Sequence, residues 1–159
     1  MPQRRVEISF ASPDETAEFA ARLAHQLKPG DAVFLSGDLG AGKTHFARAA
    51  IQKRLRDSGA IEDVPSPTFT LVQVYQDATT EIWHCDLYRL SNADEVEELG
   101  LYEALEGAIC FVEWPDRLEP GIRRSGLEIR LHMGDADETR IAHLEWGNER
   151  WDRMRFDRE

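Results

Sequence analysis

Cysteine and long apolar runs are both scarce in this chain. The only two cysteines, Cys85 and Cys110, fit no metal-binding spacing, and each lies inside an apolar run. We therefore expect buried free thiols rather than a disulfide. No stretch approaches the ~20 apolar residues of a membrane span, and residues 1–10 lack the apolar centre of a secretion signal. These absences predict a cytoplasmic protein that does not enter a membrane.

Positive charge is also in short supply. The chain holds 19 lysines and arginines against 30 aspartates and glutamates, which gives a formal net charge of −11. Because nucleic-acid backbones are bound by clustered lysine and arginine, we expect no DNA binding, and we expect any RNA to be held by a partner. The acidic excess is concentrated between Asp77 and Glu106, where Arg89 is the only basic residue. A solvated helix face is the favoured interpretation of this segment, and a docking surface for a basic partner is the alternative.

The length bounds the number of domains. With 159 residues, of which 42% are hydrophobic, the chain has enough apolar material for one core and no room for a second domain. We expect a single domain over residues 1–159, with a charged tail from about residue 148.

A glycine-rich octapeptide carries the clearest chemical signal. It matches the Walker A pattern, stands between an apolar run and a helix-forming stretch, and reads Gly37-Asp38-Leu39-Gly40-Ala41-Gly42-Lys43-Thr44. Glycines allow the backbone to curl so that successive N–H groups face an anion at a helix N-terminus. In such a loop Lys43 reaches the β- and γ-phosphates and the Thr44 hydroxyl completes a magnesium site. The pattern is typical of ATP or GTP binding.

Capping signals and apolar periodicity predict the surrounding elements. The sequence Ser12-Pro13-Asp14-Glu15 is typical of a capped helix start, and the helix that it opens ends at Pro29-Gly30. A second helix runs from Lys43 and ends before Gly59, and a third begins near Asn92. Strands are predicted over residues 6–10, 32–36, 69–75, 82–86, 108–112, 127–133 and 140–146. Together these predict an α/β fold with a P-loop NTPase-like mixed sheet, flanking helices and a C-terminal antiparallel hairpin.

Two acids stand at the ends of predicted strands. Asp86 and Glu113 each terminate an apolar segment. Ligands of open α/β sheets bind along the edge where parallel strands end, so both acids are candidates for the metal site beside the loop. Phosphoryl transfer needs charge stabilisation and an aligned nucleophile, and we therefore predict a catalytic set of Lys43, Asp86 and Glu113 with water as the nucleophile.

Three further side chains near these motifs have open roles. Thr68 is either a switch-loop residue or an ordinary strand residue. His84 would share a strand face with Asp86, and we expect it to be structural. Trp114 either packs near the nucleotide or caps the core.

Four motifs in register resemble those of the bacterial TsaE (YjeE) family. They are residues 37–44 and the sequences Ser66-Pro67-Thr68-Phe69, His84-Cys85-Asp86-Leu87-Tyr88-Arg89-Leu90 and Val112-Glu113-Trp114-Pro115. A phosphate loop alone is shared by many unrelated functions, whereas four motifs in this order are far more specific. The resemblance implies a small P-loop ATPase that works with the TsaB and TsaD proteins. The process it implies is threonylcarbamoylation of the adenosine beside the anticodon in tRNAs that read codons starting with A.

The resemblance also implies roles for matching positions. Lys43 and the loop around it would hold phosphates, and Thr44 would bind Mg²⁺. Asp86 and Glu113 would serve the metal and the attacking water, and Thr68 would belong to a switch loop. TsaD would perform the transfer, and tRNA would meet this chain only through the partners.

Two positions depart from the family pattern. His45 stands where a second threonine or serine is usual, so a hydroxyl contact to the α-phosphate is missing or replaced by an imidazole. Cys85 replaces a bulkier residue. Neither change removes a metal ligand.

The resemblance further implies that the start of the first helix, near Ser12, would lie by the adenine.

Two other function classes fit a phosphate loop on a chain of this size. A small-molecule kinase of the P-loop class would bring an arginine-bearing lid, yet residues 90–108 contain acids and no arginine. A nucleotide-dependent binding module would hold ATP without turning it over, and Glu113 would then be structural.

Overall fold

Seven strands of the described chain form one mixed sheet. The computed structural model describes residues 4–59, 64–67 and 71–156. Its strands are β1 (Arg4–Phe10), β2 (Ala32–Ser36), β3 (Val72–Gln76), β4 (Glu81–Asp86), β5 (Ile109–Glu113), β6 (Leu127–Met133) and β7 (Arg140–Trp146). They lie side by side in the order β1-β7-β6-β2-β5-β4-β3.

The centre of the sheet is parallel and its two edges are antiparallel. β2 pairs in parallel with β5 and β6, and β4 pairs in parallel with β5. The pairs β3–β4, β6–β7 and β1–β7 are antiparallel. The predicted mixed sheet with a C-terminal antiparallel hairpin is therefore confirmed. Because β2, β4 and β5 run in the same direction, their carboxyl ends meet at one edge, where ligands of such sheets bind.

Helices cover both faces of the sheet, as predicted. They are α1 (Pro13–Gln26), α2 (Lys43–Asp57), α3 (Ala93–Glu98), α4 (Leu101–Gly107) and α5 (Pro120–Arg123), with 3-10 turns at Pro115–Arg117 and Glu149–Arg153. α1 and α2 pack on one face, in an apolar cluster that includes Leu23, Ile51 and Ile109. α3 and α4 cover the other face through Val96 and Leu101. None of the described helices is long and apolar enough to span a membrane.

The predicted cap of α1 is present. The Ser12 Oγ accepts a hydrogen bond from the Glu15 N–H at 3.2 Å. The Glu15 side chain returns to the backbone N–H of Ala11 at 3.0 Å. Proline occupies the first helical position, where its missing N–H costs nothing. These local bonds fix where α1 begins.

Both cysteines are buried and unpaired, as predicted. Burial raises the pKa of the Cys110 thiol to about 12 and raises the pKa of Cys85 well above its ordinary value. Because the thiolate is the reactive form, neither residue is a nucleophile at neutral pH.

The structure differs from the prediction in the strand expected over residues 69–75. β3 begins only at Val72, and residues 68–70 lie outside the described residues. Leu71 has a φ of 68°, which is left-handed rather than extended. Its N–H donates to the Pro67 carbonyl, and its carbonyl accepts from the Asp86 N–H. These backbone bonds override the β propensity of the segment.

The C-terminal segment is more than the charged tail that the sequence indicates. Trp151 is fully buried in the second 3-10 turn. Its indole N–H donates to the Ser125 carbonyl at 3.0 Å. Arg153 reaches Asp31 at 2.7 Å, and Asp31 is itself buried. Two aromatic residues, Trp151 and Phe156, among many charges give no helical or strand period, so sequence patterns miss this anchor.

An ion pair joins α2 to the turn after β3. The Arg54 Nε lies 2.7 Å from the Asp77 Oδ2, and both side chains are nearly buried. Burial raises the pKa of the Asp77 carboxyl, but hydrogen bonds from the Thr79 and Thr80 backbone and from Arg54 outweigh it. The pKa therefore lies below its ordinary value of 3.8.

We expect Asp77→Asn to lower the free energy of unfolding at pH 7 by about 1.5–3 kcal/mol, because Arg54 loses its charged acceptor. A carboxyl whose pKa is lowered by folding contributes fully above its unfolded pKa, and that contribution is lost as the pH falls through the folded value. The difference between wild type and variant should therefore shrink below pH 3.8. Chemical denaturation across this range measures both effects. Asp57→Asn, on the exposed end of α2, is the control, and equal stability of Asp77→Asn and wild type at pH 7 contradicts the prediction.

Candidate functional site

The phosphate-loop sequence forms a tight loop between β2 and α2. Gly37 and Gly42, at its two ends, have φ values of 138° and 105°, which side chains rarely adopt. Gly42 precedes α2 in a left-handed conformation, and no side chain caps the first turn of this 15-residue helix. The first turn also contains no acidic residue. Its N–H groups and the helix dipole are thus directed at the loop, which suits an anion.

Lys43 turns back into the loop that precedes it. Its Nζ donates to the Gly37 carbonyl at 2.7 Å and to the Asp38 carbonyl at 2.9 Å. Burial lowers the pKa of Lys43, while the nearby carboxylates of Glu113, Asp86 and Asp38 act in the opposite direction. The ammonium is therefore held inside the loop rather than in solvent.

Glu113 connects the loop helix to the interior of the sheet. Its Oε1 accepts a hydrogen bond from the Thr44 hydroxyl at 2.7 Å. Its Oε2 lies 2.7 Å from the Nε2 of His84, which is fully buried on β4. Glu113 itself is only 2% exposed. One carboxylate thus bridges the first turn of α2 and a buried imidazole.

The sheet register places the second acid beside the first. Asp86 ends β4 directly opposite Glu113 of β5, and Glu113 is also opposite Leu35 at the end of β2. The Asp86 Oδ1 accepts a hydrogen bond from the Tyr88 N–H at 3.0 Å. Both acids therefore lie at the carboxyl edge of the parallel strands. A cavity of about 250 Å³ there is lined by Leu39, Gly40, Gly42, Lys43, Thr44, His45, Asp86, Glu113 and Trp114.

Trp114 packs at the site and not in the core. Its ring centroid lies 4.2 Å from the Lys43 Nζ and 4.8 Å from the centroid of the Tyr88 ring. The backbone of Trp114 is left-handed, with φ 58° and ψ 59°. A bulky residue in that conformation stores strain, which is characteristic of functional sites. Of the two roles that the sequence left open for Trp114, the one beside the phosphate loop fits this position.

The comparisons with known proteins agree with this geometry. The family model described as "Threonylcarbamoyl adenosine biosynthesis protein TsaE" matches residues 10–142 of the chain. The chain belongs to the TsaE family. The match contains the phosphate loop, Asp86 and Glu113, and the resemblance inferred from the four sequence motifs is confirmed.

Relatives of the TsaE-family chain agree over most of its length. A protein of Rickettsia bellii named "tRNA threonylcarbamoyladenosine biosynthesis protein TsaE" is 41% identical over 133 residues, covering 84% of this chain and 90% of its own. The Bacillus subtilis protein of the same name is 38% identical over 146 residues, covering 91% and 89%. The crystal structure of Bacillus subtilis YdiB is similar, with a TM-score of 0.76, 27% identity and coverage of 96% of this chain and 92% of that one.

The remaining predicted residues of the TsaE-family site have varied surroundings. Ser12 caps α1, and the His45 Nε2 lies 2.9 Å from the carbonyl of Pro13, so the start of α1 adjoins the loop. Leu39 projects into solvent and is 68% exposed. Thr68 lies outside the described residues, so its predicted switch role stays a prediction.

Arg140 braces the loop, and sequence reasoning missed it. Its guanidinium donates to the carbonyls of Ala41 and Gly40 at 3.2 and 3.4 Å. It also donates to the carbonyls of Asp137 and Thr139 beside it. The sequence does not indicate this contact, because Arg140 is almost 100 residues away from the loop and carries no local motif. Its bonds to backbone oxygens give it a supporting position.

The donor set of the TsaE-family site fits a magnesium nucleotide. Hydroxyl and carboxylate oxygens are the ligands that Mg²⁺ prefers, and Thr44, Asp86 and Glu113 supply them. Within the described ranges, no three His, Cys, Asp or Glu side chains are grouped to form a metal site by themselves. Mg²⁺ usually keeps several waters and combines one or two carboxylates with substrate phosphates, so this sparse set is the expected one.

We expect Gly37→Ala to destabilise the protein more than Gly42→Ala. A Cβ on Gly37 would lie 2.2 Å from the Leu131 carbonyl oxygen, whereas a Cβ on Gly42 meets nothing within 4 Å. Backbone strain alone costs about 1–3 kcal/mol at such positions, and the clash with β6 adds to it only for Gly37. Chemical denaturation of the two variants measures the difference. A Gly37→Ala protein as stable as Gly42→Ala would contradict this close approach.

Proposed function

We propose that this TsaE-family protein binds ATP with Mg²⁺ and hydrolyses it in support of tRNA threonylcarbamoylation. The observation that carries the proposal is the meeting of four side chains at one sheet edge. The Lys43 ammonium lies in the loop, Thr44 is hydrogen-bonded to Glu113, and Asp86 stands opposite Glu113. This combination of a cation, a hydroxyl and two acids around uncapped helix N–H groups suits a triphosphate.

Each of these residues has a role in the proposed reaction. Lys43 and the loop N–H groups bind phosphate oxygens and offset the charge that builds up during transfer. Thr44 holds the metal, and Asp86 and Glu113 orient the metal site and the attacking water. Mg²⁺, when bound, supplies charge neutralisation at the phosphates. The Trp114 ring covers the ammonium on one side.

We further propose that TsaB and TsaD are the partners and that tRNA is reached through them. The relatives are themselves named for tRNA threonylcarbamoyladenosine biosynthesis, which is the process that TsaB and TsaD serve in the scheme implied by the resemblance. The net charge of −11 disfavours tight contact between this chain and an RNA backbone. The guanidinium of Arg140 donates to backbone carbonyls, so it does not serve as an arginine finger that stabilises the transferred phosphoryl group. We therefore expect slow hydrolysis by the isolated chain and stimulation by the partners.

Phosphate release is the measurement that tests this function. The purified chain is assayed with Mg-ATP alone, with TsaB and TsaD, and with candidate small-molecule acceptors. Stimulation by TsaB and TsaD supports the proposal. ADP formation that requires an added acceptor supports a small-molecule kinase instead. Nucleotide binding without phosphate release in any mixture supports a binding module that does not turn over.

A further inference from the structure

His84 lies beneath the candidate site, two residues before Asp86 on β4. Its side chain is fully buried and is not among the residues that line the cavity. Its Nε2 is 2.7 Å from the Glu113 Oε2. The other oxygen of the same carboxylate, Oε1, accepts from Thr44 at 2.7 Å. Among the described residues, the hydrogen bond of the ring to the site is the one to Glu113.

The distance fixes where the imidazole carries hydrogen. A carboxylate oxygen can only accept, so a contact of 2.7 Å requires a hydrogen on the His84 Nε2. The Nδ1 atom is buried and has no hydrogen-bond partner among residues 4–59, 64–67 and 71–156. A ring with its only hydrogen on Nδ1 would bury an unsatisfied N–H and turn a lone pair toward the carboxylate. The ring therefore donates in one direction, to Glu113.

Packing alone does not account for an imidazole at this position. His84 is opposite Phe111 in the register of β4 and β5, in an apolar part of the core. An aliphatic side chain of similar size would fill the space without leaving a buried nitrogen unpartnered. What the imidazole provides, and an aliphatic residue would not, is the hydrogen bond to Glu113.

The geometry points to His84 as a positioning residue that fixes the Glu113 carboxylate. It occupies Oε2, so that only Oε1 is presented to Thr44 and the phosphate loop. This inference rests on the proposed function. With Oε2 bound to His84, Glu113 acts through one oxygen, as a monodentate ligand or a base, and not as a bidentate ligand. His84 acts through Glu113, and losing a hydrogen-bond partner of a metal-site ligand typically costs about 10- to 100-fold in metal affinity or activity.

Two substitutions separate positioning from packing. His84→Leu keeps a similar volume and removes the donor, whereas His84→Gln places an amide N–H within reach of the same oxygen. We expect His84→Leu to lower kcat about 10- to 100-fold with KM for ATP changed less than about threefold, and His84→Gln to recover most of the loss. His132→Leu and His132→Gln, at an exposed position near the end of β6, are the matched controls. Their kinetics should equal those of the wild type.

Three measurements do not depend on turnover. Titration of Mn²⁺, as the metal probe, into the protein with a non-hydrolysable ATP analogue should show about tenfold weaker metal binding in His84→Leu. Binding of the analogue without metal should change less than about threefold, because His84 does not line the cavity. Long-range ¹⁵N–¹H correlation spectra of the wild-type protein should show His84 with hydrogen on Nε2 in slow exchange, and this holds even if a variant folds poorly.

The outcomes distinguish the positioning role from the proposed function. Normal kcat and normal Mn²⁺ affinity in a folded His84→Leu overturn the positioning role while leaving the hydrolysis intact. Equal losses in His84→Leu and His84→Gln also overturn it, because the donor then does not matter. A His84 that carries its only hydrogen on Nδ1 overturns it by itself. Absence of phosphate release from the wild type, with or without TsaB and TsaD, counts against the proposed hydrolysis, while the metal titration and the spectra still decide the role of His84.

Discussion

Lys43→Ala is expected to weaken ATP binding more than any other single substitution in this chain. The Lys43 ammonium already lies within the loop, 2.7 and 2.9 Å from two of its carbonyls. Truncating one partner of a buried charged pair costs about 2–5 kcal/mol of binding free energy. This corresponds to roughly a 30- to several-thousand-fold increase in Kd. Isothermal titration with Mg-ATP measures it directly.

The control for this substitution lies on the same helix. Lys53 is ten residues further along α2 and pairs at the surface with Asp57 at 3.1 Å. Lys53→Ala removes the same charge from the same element, and it should leave Kd within about twofold, because exposed charges are screened by salt. Since burial lowers the pKa of Lys43, the folded state gains little from its charge, and thermal unfolding should show that Lys43→Ala remains folded. An unchanged Kd in Lys43→Ala would remove the loop as the phosphate site.

Glu113→Gln is expected to abolish most turnover while largely sparing nucleotide affinity. The carboxylate accepts from Thr44 and is held by His84, and an amide offers one accepting oxygen where Glu113 has two. One of the two bonds is therefore lost or reversed, and the negative charge disappears from the site. Removing a general base or its equivalent typically costs about 10²- to 10⁴-fold in rate. Steady-state phosphate release with the partners present gives kcat, and titration gives the affinity.

Asp86→Asn and Glu103→Gln complete this experiment. Asp86 lies opposite Glu113 at the same sheet edge, so its variant should also lose turnover more than binding. Glu103 lies on α4, on the other face of the sheet, and the same chemical change there should leave kcat within about twofold, as exposed substitutions usually do. If Glu113→Gln and Asp86→Asn both hydrolyse ATP at the wild-type rate, the two acids do not serve the metal or the water.

Much of the fold was predictable because its signals are local. The cap at Ser12 set the start of α1, and the unbroken apolar run 108–112 indicated a strand covered on both faces, which β5 is. The hairpin β6–β7 has the predicted bounds because its alternation is clean. α4 was missed, since its seven residues directly follow Gly100, a residue that commonly ends helices, and the helix starts without a side-chain cap. The late start of β3 was missed because Leu71 is held by two backbone bonds, its N–H donating to the Pro67 carbonyl and its carbonyl accepting from the Asp86 N–H.

The site likewise has a part that the sequence predicts and a part that depends on the fold. The phosphate loop is contiguous, so its residues were identified directly, and strand ends pointed to Asp86 and Glu113. The hydrogen bond between Thr44 and Glu113 spans 69 residues of sequence, and that between His84 and Glu113 spans 29. Such pairings depend on strand register, which a single sequence without an alignment does not specify. His84 was therefore assigned to structure alone, and its contact with Glu113 emerged only from the fold.

Arg140 links the phosphate loop to a turn at the surface of the protein. Its guanidinium holds Gly40 and Ala41 on one side and Asp137 and Thr139, in the turn between β6 and β7, on the other. The curvature of the glycine segment and the shape of that outer turn are therefore mechanically coupled through a single planar group. A protein that binds the turn between β6 and β7 would change the conformation of the Gly40–Ala41 segment without entering the cavity. A shift of that segment would in turn change the conformation of the turn at the surface.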